Sequence, residues 1–133
     1  MLFKYILSTQ REDFINITAK VREAVTASGV TDGIAVVYVP HTTAGITINE
    51  NADPDVVHDL LLGLSIAYPN HPQYRHGEGN SAAHLKASAM GTNTTVIIEN
   101  GGLMLGTWQG IYFCEFDAPR NRKFYVKIMG QPA

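Results

Sequence analysis

A chain of 133 residues with 45% apolar side chains can close one packed domain without disulfides. Ten basic residues against twelve acidic ones give a formal charge of −2, which argues against a cationic nucleic-acid-binding surface. The one cysteine, Cys114, excludes an internal disulfide, and its neighbours Tyr112, Phe113 and Phe116 predict a buried thiol in a reducing compartment.

The opening MLFKYILSTQ has no basic start and too short an apolar run for a signal peptide or membrane span, so a soluble cytoplasmic chain is expected. Residues 2–8 and 13–18 read as short strands. Residues 18–28 read as a helix with Thr18 as N-cap, Val21, Ala24 and Val25 on one face, and Gly29 as the stop. The apolar run from Gly33 to Val39 predicts a strand covered on both faces, ended by Pro40. A further strand is expected over 44–49. Asp53-Pro54-Asp55 is the strongest helix start in the chain: an Asp cap, a proline at the first helical position and an acid in the first turn. That helix should run to about Ala67, with Val56, Val57, Leu60, Leu61 and Leu64 on its apolar arc.

Residues 69–80 are rich in Pro, Gly and Asn and predict a long loop, of the kind that carries function in compact domains. A helix follows over 81–90 and closes at Gly91. The remainder reads as an antiparallel meander with strands at 93–99, 103–107, 109–117 and 122–128. Strands and helices mix without regular βαβ alternation, so the expected fold is α+β: a compact single domain spanning residues 1–133, a mostly antiparallel sheet and about three helices.

Three histidines carry the chemical signal. His41 follows a strand, His76 lies in the long loop, and His84 sits near the start of the next helix. A loop folding back over a helix start brings His76 and His84 together, and a third imidazole from a strand end would make a three-nitrogen metal site with open positions. The spacing matches no known zinc pattern, and the plain alternative is ordinary hydrogen-bonded histidines. Glu78 stands between two glycines, which let the backbone approach a ligand closely. The helix start at Asn80-Ser81 offers unpaired N–H groups to a phosphate, or is simply a capped helix. In Gly106-Thr107-Trp108-Gln109-Gly110, two glycines frame a tryptophan that either walls a flat ring, with Thr107 or Gln109 hydrogen-bonding it, or fills a bend in the core. Arg120, Arg122 and Lys123 read as a solvated hairpin tip, with phosphate contact as the sharper alternative. Dinucleotide-binding, P-loop and nucleophile-elbow motifs are absent from the sequence.

Taken in order, His41-Thr42-Thr43-Ala44, Ile48-Asn49-Glu50-Asn51-Ala52-Asp53-Pro54, His76-x-Glu78-Gly79, Ala83-His84-Leu85-Lys86 and Gly106-Thr107-Trp108-Gln109-Gly110 resemble the motifs of the YjbQ-like family, over nearly the whole chain. One departure is Ala82-Ala83-His84, where many relatives carry Pro-Ala-His. The resemblance implies a homotrimer and a secondary thiamine-phosphate synthase activity, in which hydroxymethylpyrimidine diphosphate joins a thiazole phosphate and releases diphosphate. It also strengthens a shared divalent metal site at His41, His76 and His84, with zinc the expected ion and magnesium an option alongside a diphosphate substrate. On this expectation Glu50, Glu78 and Asn49 are the catalytic candidates, and Thr107, Trp108, Gln109, Asn80 and Ser81 bind a small phosphorylated metabolite. The rival expectations are a metal-assisted hydrolase of such a metabolite and a trimeric binding protein without turnover. No nucleic-acid or membrane partner is expected.

Overall fold

A computed structural model covers residues 1–133. In chain order it contains β1 (Leu2–Thr9), β2 (Asp13–Asn16), α1 (Thr18–Ser28), β3 (Val30–Tyr38), β4 (Ala44–Glu50), α2 (Pro54–Ala67), α3 (Ser81–Met90), β5 (Asn93–Glu99), β6 (Gly102–Leu103), β7 (Gln109–Glu115) and β8 (Arg120–Pro132). The fold is α+β with three helices, and each strand pair is antiparallel. No helix is long and apolar enough to cross a membrane.

The strands form two sheets, one ordered β1-β8-β3-β5-β6 and the other β2-β7-β4. The C-terminal strands lie close to where the sequence puts them, but their partners are not sequential. Only β5 and β6 pair as neighbours in the chain, while β7 and β8 lie in different sheets. Strand β8 outruns its expected 122–128 span because it is hydrogen-bonded on both sides, to β1 and β3. The strand expected over 103–107 shrinks to Gly102–Leu103. Beyond it the Gln109 side chain accepts the Gly106 N–H at 2.8 Å, which curls the backbone away from a ladder.

The main core lies between the sheets and beneath α1. Val21, Ala24 and Val25 of α1 meet Ala35 and Val37 of β3, and Phe113 of β7 meets Phe124 and Val126 of β8. Thr18 is not the N-cap of α1 but its first residue, because Asn16 takes over the capping. Its Oδ1 accepts from the Thr18 amide at 3.0 Å and the Thr18 hydroxyl at 2.7 Å. The Thr18 oxygen is thereby free to accept the Ile111 N–H at 2.8 Å, tying α1 to β7. Alternation along β7 sends Tyr112 and Cys114 to the other face, where they join Phe14, Phe116, Ala83 and Ala87 in a second cluster. The thiol of Cys114 is buried as expected, and burial pushes its pKa up.

Helix α3 closes this second cluster. It sits close to β4 because residue 45 is glycine: a Cβ there would come within 2.8 Å of the Gly91 carbonyl oxygen. Helix α2 starts as the sequence predicts, with Asp53 accepting the Asp55 N–H at 2.9 Å and Pro54 following. Val57, Leu60, Leu61 and Leu64 lean on the second cluster, yet no residue of α2 is fully buried.

Candidate functional site

The chain leaves the first sheet at Tyr38 and enters the second at Ala44, so Pro40, His41, Thr42 and Thr43 bridge the two. Beside this bridge lie the start of β8, the N-terminus of α3 and the end of the long loop. Together they enclose an open cavity of about 400 Å³. His41, His76, His84, Glu78, Asn80 and Arg120 are among its walls, and Pro40 is the one lining residue without a polar side chain. Such a cavity suits a charged, hydrated group better than a bare ring.

Two contacts define the histidines. The His76 and His84 rings meet edge-on with centroids 5.3 Å apart, and His76 Nε2 lies 4.0 Å from Glu78 Oε1. His41 stands differently. Its Nε2 accepts the backbone N–H of Lys123 at 3.0 Å, so in the neutral ring the proton resides on Nδ1. Burial lowers the His41 pKa, and the nearby Arg122 guanidinium lowers it further. His41 is therefore a neutral ring with one N–H to offer.

Under the cavity runs a buried ionic network. Arg122 is 5% exposed and Glu115 is fully buried. Arg122 donates from Nε to Glu115 Oε1 at 2.7 Å and from Nη2 to Oε2 at 2.5 Å. The same Nη2 donates to Thr43 Oγ1 at 2.9 Å. The Thr9 hydroxyl and the Asp117 amide also donate to Glu115, at 2.6 and 2.9 Å. Burial alone would raise the Glu115 pKa, but these donors hold its carboxyl below the usual range. The network continues at Asp117, which accepts from Asn80 Nδ2 at 2.8 Å and Arg120 Nη2 at 2.7 Å. Asn80 Oδ1 is left as the one buried side-chain polar atom without a partner. No side chain caps the α3 N-terminus; Ala83 and His84 donate to the Asn80 carbonyl, which leaves the Ser81 and Ala82 N–H groups without a side-chain acceptor.

The expectation of a solvated tip at Arg120-Arg122-Lys123 is corrected for Arg122. It joins two sheets, with Glu115 on β7 and Arg122 on β8. A signal was present: Arg122 shares the alternating face of Phe124, Val126 and Ile128, all of them buried. Arg120 lines the cavity, where the phosphate-contact alternative for this turn would need it.

A three-histidine metal centre fits the donor chemistry but not the arrangement. No three His, Cys, Asp or Glu side chains approach one point closely enough to hold an ion. The Nε2 lone pair of His41 is already engaged by Lys123, and a metal at that nitrogen would have to displace a backbone bond.

The other candidates lie elsewhere. Ser81 opens α3 beside Asn80. Asn49 pairs with Gly110 and Glu50 with Gln109, at the opposite end of the β4–β7 ladder from Ala44 and Glu115. Six residue steps separate the ends, about 20 Å of strand. Thr107 and Trp108 belong to that far end too. The Trp108 carbonyl accepts the Asn51 N–H at 2.8 Å, the Tyr112 hydroxyl donates to the Glu50 carbonyl at 2.9 Å, and the Trp108 side chain is 62% exposed. Trp108 thus neither fills the core nor reaches the histidines of its own chain.

The comparisons with known proteins agree with one another. The family model described as "UPF0047 protein YjbQ-like" matches residues 4–131. The UPF0047 protein MJ1081 of Methanocaldococcus jannaschii is 57% identical over 131 residues, 98% of this chain and 95% of that one. The UPF0047 protein YugU of Bacillus subtilis is 56% identical over 126 residues, covering 94% and 96%. Among solved structures, a YjbQ/UPF0047 protein of Clostridium acetobutylicum superposes with a TM-score of 0.93 at 61% identity, covering 96% of this chain and 99% of that one. A YbjQ-like protein of Sulfolobus solfataricus gives 0.94 at 31% identity, covering 98% and 97%. With the fold and nearly the full length shared, the chain belongs to the YjbQ-like UPF0047 family.

Proposed function

We propose that the histidine-lined cavity binds the phosphate or diphosphate of a small metabolite and supports a thiamine-phosphate synthase-like transfer. The observation that carries this reading is the cavity lining itself: three imidazoles and Arg120 beside an uncapped helix N-terminus, in a wall that is polar apart from Pro40. Hydrogen-bond donors and a helix N-terminus are what a phosphate group requires. In the proposed reaction the thiazole nitrogen attacks the pyrimidine methylene carbon, a C–N bond forms, and the C–O bond breaks with its electron pair leaving on diphosphate. No base is needed to make the nucleophile. The protein's task is to take up charge on the departing oxygens. His41 would donate from Nδ1, Arg120 would donate through its guanidinium N–H groups, and the α3 amides would face the same oxygens. Glu78, 4.0 Å from His76, would orient that imidazole. The proposal includes the cytoplasmic setting and the homotrimer expected from the sequence.

Calorimetric titration with inorganic diphosphate, together with turnover of the two thiamine precursors, tests the reading. Diphosphate should bind, and both binding and turnover should fall in His84→Ala and Arg120→Ala. Wild-type protein that ignores diphosphate would refute it. Binding without turnover of either precursor would leave a phosphate-binding protein.

A further inference from the structure

The histidine-lined cavity does not end at its histidines. A second open cavity of about 480 Å³ lies against it, and His41, Thr42 and His84 line both. That volume falls in the range of small-molecule sites, about 300–1,000 Å³. Past the shared residues the second cavity is walled by Ala87, Ser88, Gly91 and Thr92. His84, Ala87, Ser88 and Gly91 follow at the i, i+3, i+4, i+7 spacing of one helix face. The cavity therefore runs along α3 for about 10 Å. Small side chains keep this face open, and even a Cβ at Gly91 would meet no atom within 4 Å.

The two cavities differ in charge. The first holds Glu78, Arg120 and Arg122 and lies at the start of α3. No Asp, Glu, Lys or Arg lines the second. It extends toward the end of α3, where the helix dipole is negative. An anion is thus favoured at one end of this helix and disfavoured at the other. Thr42, Ser88 and Thr92 bring hydroxyls to the second cavity, and a hydroxyl donates or accepts as its ligand requires.

We propose that the second cavity is the subsite for the body of the phosphorylated ligand. The phosphate lies in the first cavity, the molecule extends past His41 and His84, and the part in the second cavity is compact, uncharged and able to hydrogen-bond. The ligand class is a phosphate ester of a small neutral body, and a second anionic group is rejected. This assignment rests on the phosphate reading of the first cavity. It adds Ser88 and Thr92 as specificity-determining residues.

Calorimetric titration with three probes tests it: inorganic phosphate, the thiazole phosphate, and phosphoglycolate, whose body is a carboxylate. Two hydrogen bonds in the second cavity should make the wild-type protein bind thiazole phosphate about tenfold tighter than inorganic phosphate. Phosphoglycolate should show no such gain. Ser88 and Thr92 are exposed, so Ser88→Leu and Thr92→Leu fill the cavity from the helix and from the segment before β5 while sparing the core. Each should abolish the gain and leave the affinity for inorganic phosphate unchanged. A gain that survives both substitutions places the body elsewhere and overturns the proposal. Thiazole phosphate that binds no tighter than inorganic phosphate overturns it too, as does a gain for phosphoglycolate that the two variants abolish. Variants that weaken inorganic phosphate as much as thiazole phosphate show that the cavities are not separate subsites, and the proposal falls. In all these cases inorganic phosphate bound by the wild type keeps the phosphate reading. Wild-type protein that binds neither inorganic phosphate nor diphosphate fails at the first cavity, and the phosphate reading falls with this assignment.

Discussion

At one end of the β4–β7 ladder the polar residues are locked; at the other they are loose. Glu115 and Arg122 hold each other through two hydrogen bonds, with Thr9, Thr43 and Asp117 filling the remaining valences. Glu50, six ladder steps away, engages its backbone but not its carboxylate in hydrogen bonds, and Trp108 is largely exposed. The locked end is a preorganised site, held in place by interactions within the chain. The loose end is polar and apolar surface whose geometry the chain itself does not determine.

The contrast can be broken most sharply at the locked end. Arg122→Met strands the Glu115 carboxylate in the interior and should cost about 3–5 kcal/mol of stability, read by urea denaturation. A loss below 1 kcal/mol would show that the network is not structural. Next in size, Arg120→Ala removes a charged donor from the cavity and should weaken inorganic diphosphate binding by about tenfold or more, on the order of 1.5–3 kcal/mol, with little change in the melting curve. Asp53→Ala deletes the α2 cap and should cost about 1 kcal/mol, seen as a lower urea midpoint at unchanged slope.

A smaller effect follows from His41. Its folded pKa is lowered, so the folded protein takes up the proton less readily than the unfolded chain. The stability this contributes is complete above about pH 6.5, the ordinary histidine value, and is lost as pH falls through the lower folded value. His41→Asn should flatten the decline of stability between neutral and mildly acidic pH. The smallest effect is expected at the loose end: Glu50→Gln should shift the stability of the dissociated chain by no more than about 0.5 kcal/mol.

Local chemistry made the helices legible. Asp53-Pro54 marks the start of α2, and Gly29, at φ 72°, stops α1 where expected. The spacing of His76 and His84 also foretold a loop folding back over a helix, and their rings do meet. Strand partners were not legible, because β7 and β8 are neighbours in sequence yet pair with strands far from them, as where Leu2 of β1 faces Lys127 of β8. Side-by-side motifs misled in the same manner. Thr43-Ala44 and Asn49-Glu50 are close in sequence, but an extended strand carries them to opposite ends of a sheet.

The ion pair between β7 and β8 has one more consequence. Each sheet contributes one charge, so neither sheet can form its inner face alone without sealing an uncompensated ion away from water. Half-built molecules are penalised from both sides, and the two layers should assemble and come apart as a single cooperative event.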